Sequence, residues 1–141
     1  MAAVTKNFTI EQGTTFRLSF CWRLSEEHGA TPRDLTGWKF RMQGRRKQQD
    51  PNLLIDATTE NGKIIVGADP NVSGSEASPN PANGWVTLKL AATDTDQLTA
   101  RSFVYDLEAV APNDEVYRIL KGSVIVDPNI TQQTGEPEVL G

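Results

Sequence analysis

TTFRLSFCWR, residues 14–23, alternates without a break. Phe16, Leu18, Phe20 and Trp22 fall on one side; Arg17, Ser19, Cys21 and Arg23 fall on the other. A period of two is the mark of a strand with one dry and one wet face. A helix would scatter these side chains around its circumference. The same pattern recurs along the chain. Residues 7–10 form a shorter strand, with Phe8 and Ile10 in phase, and Gln12-Gly13 permits a turn or bulge after it. Residues 37–45 set Trp38, Phe40 and Met42 against Lys39, Arg41 and Gln43. Residues 84–90 set Val86, Leu88 and Leu90 against Trp85, Thr87 and Lys89. Residues 101–112 set Phe103, Tyr105, Leu107 and Ala109 against Val104, Asp106, Glu108 and Val110. Residues 115–126 read as a last pair of strands, or as one strand bent at Gly122.

The segments between carry turn chemistry. Residues 25–37 are polar with Gly and Pro and read as a loop. Residues 53–57 and 63–66 read as short strands joined into a hairpin by Asn61-Gly62. Residues 67–83 are the part of the chain richest in Gly, Ser, Pro and Asn, and read as a long, mobile surface loop. Residues 91–100 suit a single helical turn capped by Thr93 or Asp94. Pro112-Asn113-Asp114 is a turn. No long stretch shows a period of 3.6, so the predicted fold class is all-β: a single-domain antiparallel β-sandwich, immunoglobulin-like or jelly-roll-like, over residues 1–131. Residues 132–141 are expected to form a polar C-terminal tail outside it. The expected core is Phe16, Leu18, Phe20, Trp22, Trp38, Phe40, Val86, Leu88, Leu90, Tyr105, Leu107 and Val124.

The 141 residues suffice for one domain with its own core, at 38% hydrophobic and 23% charged. The net charge of −4 argues against non-specific nucleic-acid binding, which needs a basic footprint. No segment reaches the roughly 18 apolar residues of a membrane span, and no basic and apolar leader opens the chain. Synthesis in a cytoplasm, without a nucleic-acid or membrane partner, is the expectation.

The chemistry-bearing residues are sparse. One cysteine, Cys21, excludes an internal disulfide and reads as a small buried hydrophobe. The single histidine, His28, sits in a polar loop and reads as solvated, so no nucleophilic dyad with Cys21 is expected. One His and one Cys do not build a zinc site, and Asp94 with Asp96 lacks the rest of a calcium loop. No phosphate-cradling glycine motif occurs. The expectation is a non-enzymatic protein without catalytic residues, cofactor or metal. Two features suit a protein interface: the basic run Arg41, Arg45, Arg46 and Lys47, and Trp85, which lies opposite Val86, Leu88 and Leu90.

A resemblance goes further. IEQGTTF (10–16), DLTGW (34–38), YDLE (105–108) and LKGSVIVDPNIT (120–131) occur in an order that resembles a family of small bacteriophage virion proteins. Members are β-sandwich domains associated with tail fibres, baseplates or receptor-binding assemblies, and the resemblance covers residues 6–131. It implies a structural protein of the virion, a tail or baseplate component or an adaptor joining fibre or spike to tail. Its partners would be other virion proteins, with several copies in a symmetric assembly. Two other readings stand beside it. One is a capsid decoration protein; the other is a carbohydrate-binding module using Trp22, Trp38 and Trp85 as a stacking platform.

Overall fold

The alternating runs become strands in two sheets: β1 (Val4–Thr5), β2 (Phe8–Glu11), β3 (Phe16–Cys21), β4 (Lys39–Arg45), β5 (Ile55–Thr58), β6 (Ile64–Val66), β7 (Trp85–Leu90), β8 (Ser102–Val110) and β9 (Val116–Asp127), with one short helix, α1 (Ala92–Asp96). The computed structural model describes residues 3–24 and 30–130. His28 and the tail expected at 132–141 lie outside the described residues.

The larger sheet runs β9-β8-β4-β5, with β1 and β2 both along the free side of β9; the smaller runs β3-β7-β6. In chain order these are the G-F-C-C′ and B-E-D rows of an immunoglobulin-type sandwich, so the first of the two expected architectures matches the strand order. One edge departs from the antiparallel expectation. β1 and β2 lie parallel to β9 and share one register, Val4 opposite Leu120 and Phe8 opposite Val124.

The inner faces meet in a core that includes Ile10, Phe40, Met42, Val86, Leu90, Phe103 and Val124, each at most 2% exposed. Leu88, Tyr105 and Leu107 are buried as expected. Phe16, Leu18, Phe20, Trp22 and Trp38 pack against this core but are only partly buried. β3 is the edge strand of a three-stranded sheet, with a neighbour on one side only, and both tryptophans lie just outside strands.

Five local expectations change. Asn61-Gly62 does not close a hairpin: β5 pairs with β4 in the larger sheet and β6 with β7 in the smaller. The turn is an arch between sheets. The Asn61 Oδ1 accepts the Thr58 and Lys63 backbone N–H groups, and its Nδ2 donates to the Asp56 carbonyl. One side chain thus occupies backbone groups that a hairpin partner would otherwise take.

Within β9 the irregularity lies before Gly122. Leu107 pairs with Leu120 but Glu108 with Arg118, leaving Ile119 as an extra residue. This bulge switches the inward set from Tyr117 and Ile119 to Leu120, Val124 and Val126. Gly122 answers a different need, because a Cβ there would collide with the Lys6 carbonyl and the Asn7 side chain.

In α1 the N-cap is Ala91, and Asp94 reaches back to accept its N–H at 3.2 Å. Thr95, fully buried, ties the helix to the β2–β3 turn through a 2.7 Å bond from its hydroxyl to the Thr14 carbonyl.

Residues 67–83 fold onto the outer face of the smaller sheet. The Gly67 N–H donates to the Trp85 carbonyl, and the Asn80 N–H to the Gly67 carbonyl. Glu76 accepts from Arg17 at 2.7 Å and from Lys89 at 2.8 Å. Thr87 is 2% exposed beneath this cover, its hydroxyl within 2.8 Å of Ser19 Oγ and 3.3 Å of the Ala68 carbonyl. Cys21 lies on this same outer face, half-buried, with its Sγ 3.5 Å from the Asn83 carbonyl. It is not the fully buried hydrophobe expected, because edge strand β3 leaves it one open flank.

Candidate interaction surface

The outward side chains of the larger sheet form rungs across its strands. Lys121, Asp106, Gln43 and Asp56 make one; Arg118, Glu108, Arg41 and Thr58 make the next. Arg41 Nε lies 2.8 Å from Glu108 Oε1, and Arg118 Nε reaches diagonally to Asp106 Oδ2 at 3.2 Å. Such half-exposed pairs contribute about 0–1 kcal/mol each, so they set the charge pattern more than the stability.

A trough of about 590 Å³ opens on this face. Arg45, Arg118 and Lys121 supply its cations, and Asp106 its single carboxylate. The balance is three positive charges against one negative, in a chain whose total is −4. Burial pushes the Asp106 carboxyl above the ordinary carboxylate value, against the pull of Arg118. Amides of Asn7, Gln43 and Gln48 complete much of the wall.

Of the basic run 41–47, only part reaches the trough. Arg45 lines it, donating from Nη1 to the Asp50 carbonyl at 2.7 Å and from Nη2 to Gln43 Oε1 at 3.1 Å. Arg41 shares the face but is engaged by Glu108. Arg46 and Lys47 are exposed just past the end of β4, where the Asp50 N–H closes a turn onto the Lys47 carbonyl. Trp85 is half-buried on the outer face of the smaller sheet, at the far side of the sandwich. The two expected interface elements therefore do not form one patch. Arg118 and Lys121 were missed, and the bulge at Ile119 explains why. In a regular strand, residues three apart face opposite ways; the extra residue turns both cations outward.

The aromatic end of the sandwich has another character. Trp22 and Trp38 meet edge to face at 5.1 Å, and Tyr117 lies 5.9 Å from Trp38. The Arg33 guanidinium lies over the Trp22 ring, 4.5 Å from its centroid. Its buried Nε finds no hydrogen-bond partner among the described residues. A sugar platform needs open ring faces side by side. Here one face of Trp22 is taken by Arg33, and Trp85 belongs to a different surface.

Among the described residues no group of three or more His, Cys, Asp or Glu side chains is placed to hold a metal ion. No helix among them is long and apolar enough to cross a membrane. No protein-family model matches the chain, and no curated protein matches it in sequence.

Proposed function

We propose that this chain is a non-enzymatic structural protein of a bacteriophage virion, a tail or baseplate component that connects a tail fibre or spike to the tail. What supports this reading is the position of the stretches that carry the resemblance. IEQGTTF spans the end of β2 and the start of β3, YDLE lies in β8, and LKGSVIVDPNIT begins in β9 and runs through its end. β2, β9 and β8 are neighbours in one sheet, so these distant stretches meet around one edge and one outer face. Residues that build an edge and a decorated face suit a domain whose work is attachment. The proposed partners are other virion proteins, and the proposed assembly is symmetric with several copies.

Cryo-electron microscopy of the purified particle tests the role. Density for this chain at the tail end, with an edge strand or outer face against a neighbour, supports it. Density on the capsid lattice replaces it with decoration of the head. Absence of the chain from the particle overturns both.

A further inference from the structure

The trough on the larger sheet gathers cations from separate parts of the chain. Arg45 comes from the end of β4, and Arg118 and Lys121 flank the β9 bulge. Arg45 spends donors on Asp50 and Gln43. Arg118 touches Asp106 through Nε, which leaves the far end of its guanidinium available. No described residue pairs with the Lys121 ammonium. The trough has cationic capacity beyond what its own carboxylate uses.

Its breadth and its neutral groups narrow the occupant. It reaches from the β1–β2 link across β9 and β8 to β4. At about 4.8 Å between strands that is roughly 14 Å, the length of about four extended residues. Asn7 Oδ1 already accepts from Ser123 and Gln43 Oε1 from Arg45, but the NH2 groups of Asn7 and Gln43 offer donors and the Gln48 amide both a donor and an acceptor, which match the C=O and N–H groups of a peptide main chain. The Tyr105 ring is buried on the inner side, and no other aromatic side chain lines the trough for a base or sugar to stack on.

We propose that this trough docks an extended acidic peptide segment of a partner protein. Its Glu or Asp side chains engage Arg118, Lys121 and Arg45, and its main chain bonds to the amide wall. Whether that partner is a virion neighbour rests on the role proposed above; the chemistry of the trough does not.

The test is fluorescence anisotropy with the full chain and a labelled peptide of alternating Glu and Thr, beside its twin of alternating Gln and Thr. The Glu peptide binds, the Gln peptide does not, and added salt weakens binding. Arg118→Gln and Lys121→Gln each weaken it by about three- to tenfold. Asp106→Asn tightens it, and Lys89→Gln, on the outer face of the smaller sheet, leaves it unchanged. Equal binding of the two peptides overturns the proposal, as does indifference to Arg118→Gln and Lys121→Gln together. Displacement of the Glu peptide by a sulfated oligosaccharide at lower concentration also overturns it, and makes this a site for anionic sugar. Loss of the virion role would leave all these outcomes readable.

Discussion

Tyr105 lies opposite Gly122 across the β8–β9 ladder, and its hydroxyl donates a hydrogen bond to the Lys6 carbonyl. The phenol and the missing side chain act together. The link between β1 and β2 passes so close to Gly122 that only a residue without a Cβ leaves it room. The Tyr105 ring also packs against Phe8, with centroids 5.0 Å apart. Gly122→Ala is expected to cost about 1–3 kcal/mol through this forced displacement. Tyr105→Phe is expected to cost about 0.5–1.5 kcal/mol, the worth of one hydrogen bond. Urea unfolding reads both. An alanine variant as stable as the parent would show that the link does not cross Gly122.

The same phenol gives a pH signature. Burial pushes Tyr105 up from 10.0 to about 12. A folded value above the unfolded one means that the fold favours the neutral phenol. The associated stability is complete below about pH 10 and drains away as pH rises towards 12. Ultraviolet titration of Tyr117→Phe, which leaves Tyr105 as the only tyrosine, is expected to show a phenol titrating near 12. Ionisation near 10 in the folded protein would place the ring in water.

Leu88 faces Leu18 on one neighbouring strand and Ile64 on the other, and is 6% exposed. Leu88→Ala is expected to cost about 2–5 kcal/mol, the range for a cavity in a packed core. Thermal and urea unfolding measure it. A loss below about 1 kcal/mol would contradict the register of the smaller sheet.

The readable parts of this fold are those where one strand decides its own faces. β3, β4, β7 and β8 each alternate over several pairs, and their inward sets were legible. What failed depends on a second strand. Asn61-Gly62 fixes a turn, and Gly62 has φ +80° as such a turn requires, but that local geometry does not say which sheet the next strand joins. The bulge at Ile119 is visible only when β9 is laid against β8, and without it Arg118 and Lys121 point to opposite faces. Two of the three cations in the trough were therefore hidden from any reading of 41–47 alone.

The arch is testable at Asn61. Its side chain makes three hydrogen bonds to backbone groups of Asp56, Thr58 and Lys63. Asn61→Ala is expected to cost about 1–2 kcal/mol, less than three full bonds because water reaches these exposed groups. Asn61→Asp keeps the acceptor for Thr58 and Lys63 and loses only the donor to Asp56, so it should retain most of the stability. If alanine and aspartate behave alike in thermal unfolding, the two accepted bonds are not what holds the arch.

The cover over the smaller sheet should respond to acid before the core does. Hydrogen bonds from Arg17 and then Lys89 hold the Glu76 carboxyl down, from 4.5 to about 2. A folded value below the unfolded one means that this contribution is present above about pH 4.5 and is lost as pH falls towards 2. The partners are substantially exposed, Arg17 by 50% and Glu76 by 31% of the side chain, so solvent screening keeps the contribution below about 1 kcal/mol. That is too little to unfold the domain but enough to loosen the middle of residues 67–83, whose remaining ties lie towards the two ends, in the bonds of Gly67, Ala68, Asn80, Pro81 and Asn83, and in their own turns. Hydrogen exchange at Ser75 and Ala77 is therefore expected to quicken between pH 4.5 and 2, after correction for intrinsic rates, while exchange in β7 and β8 holds. Glu76→Gln should show the quickened exchange at neutral pH and lose the acid step. If the acid step survives in Glu76→Gln, another carboxylate fastens the cover, and the Arg17–Glu76–Lys89 contact is incidental to it.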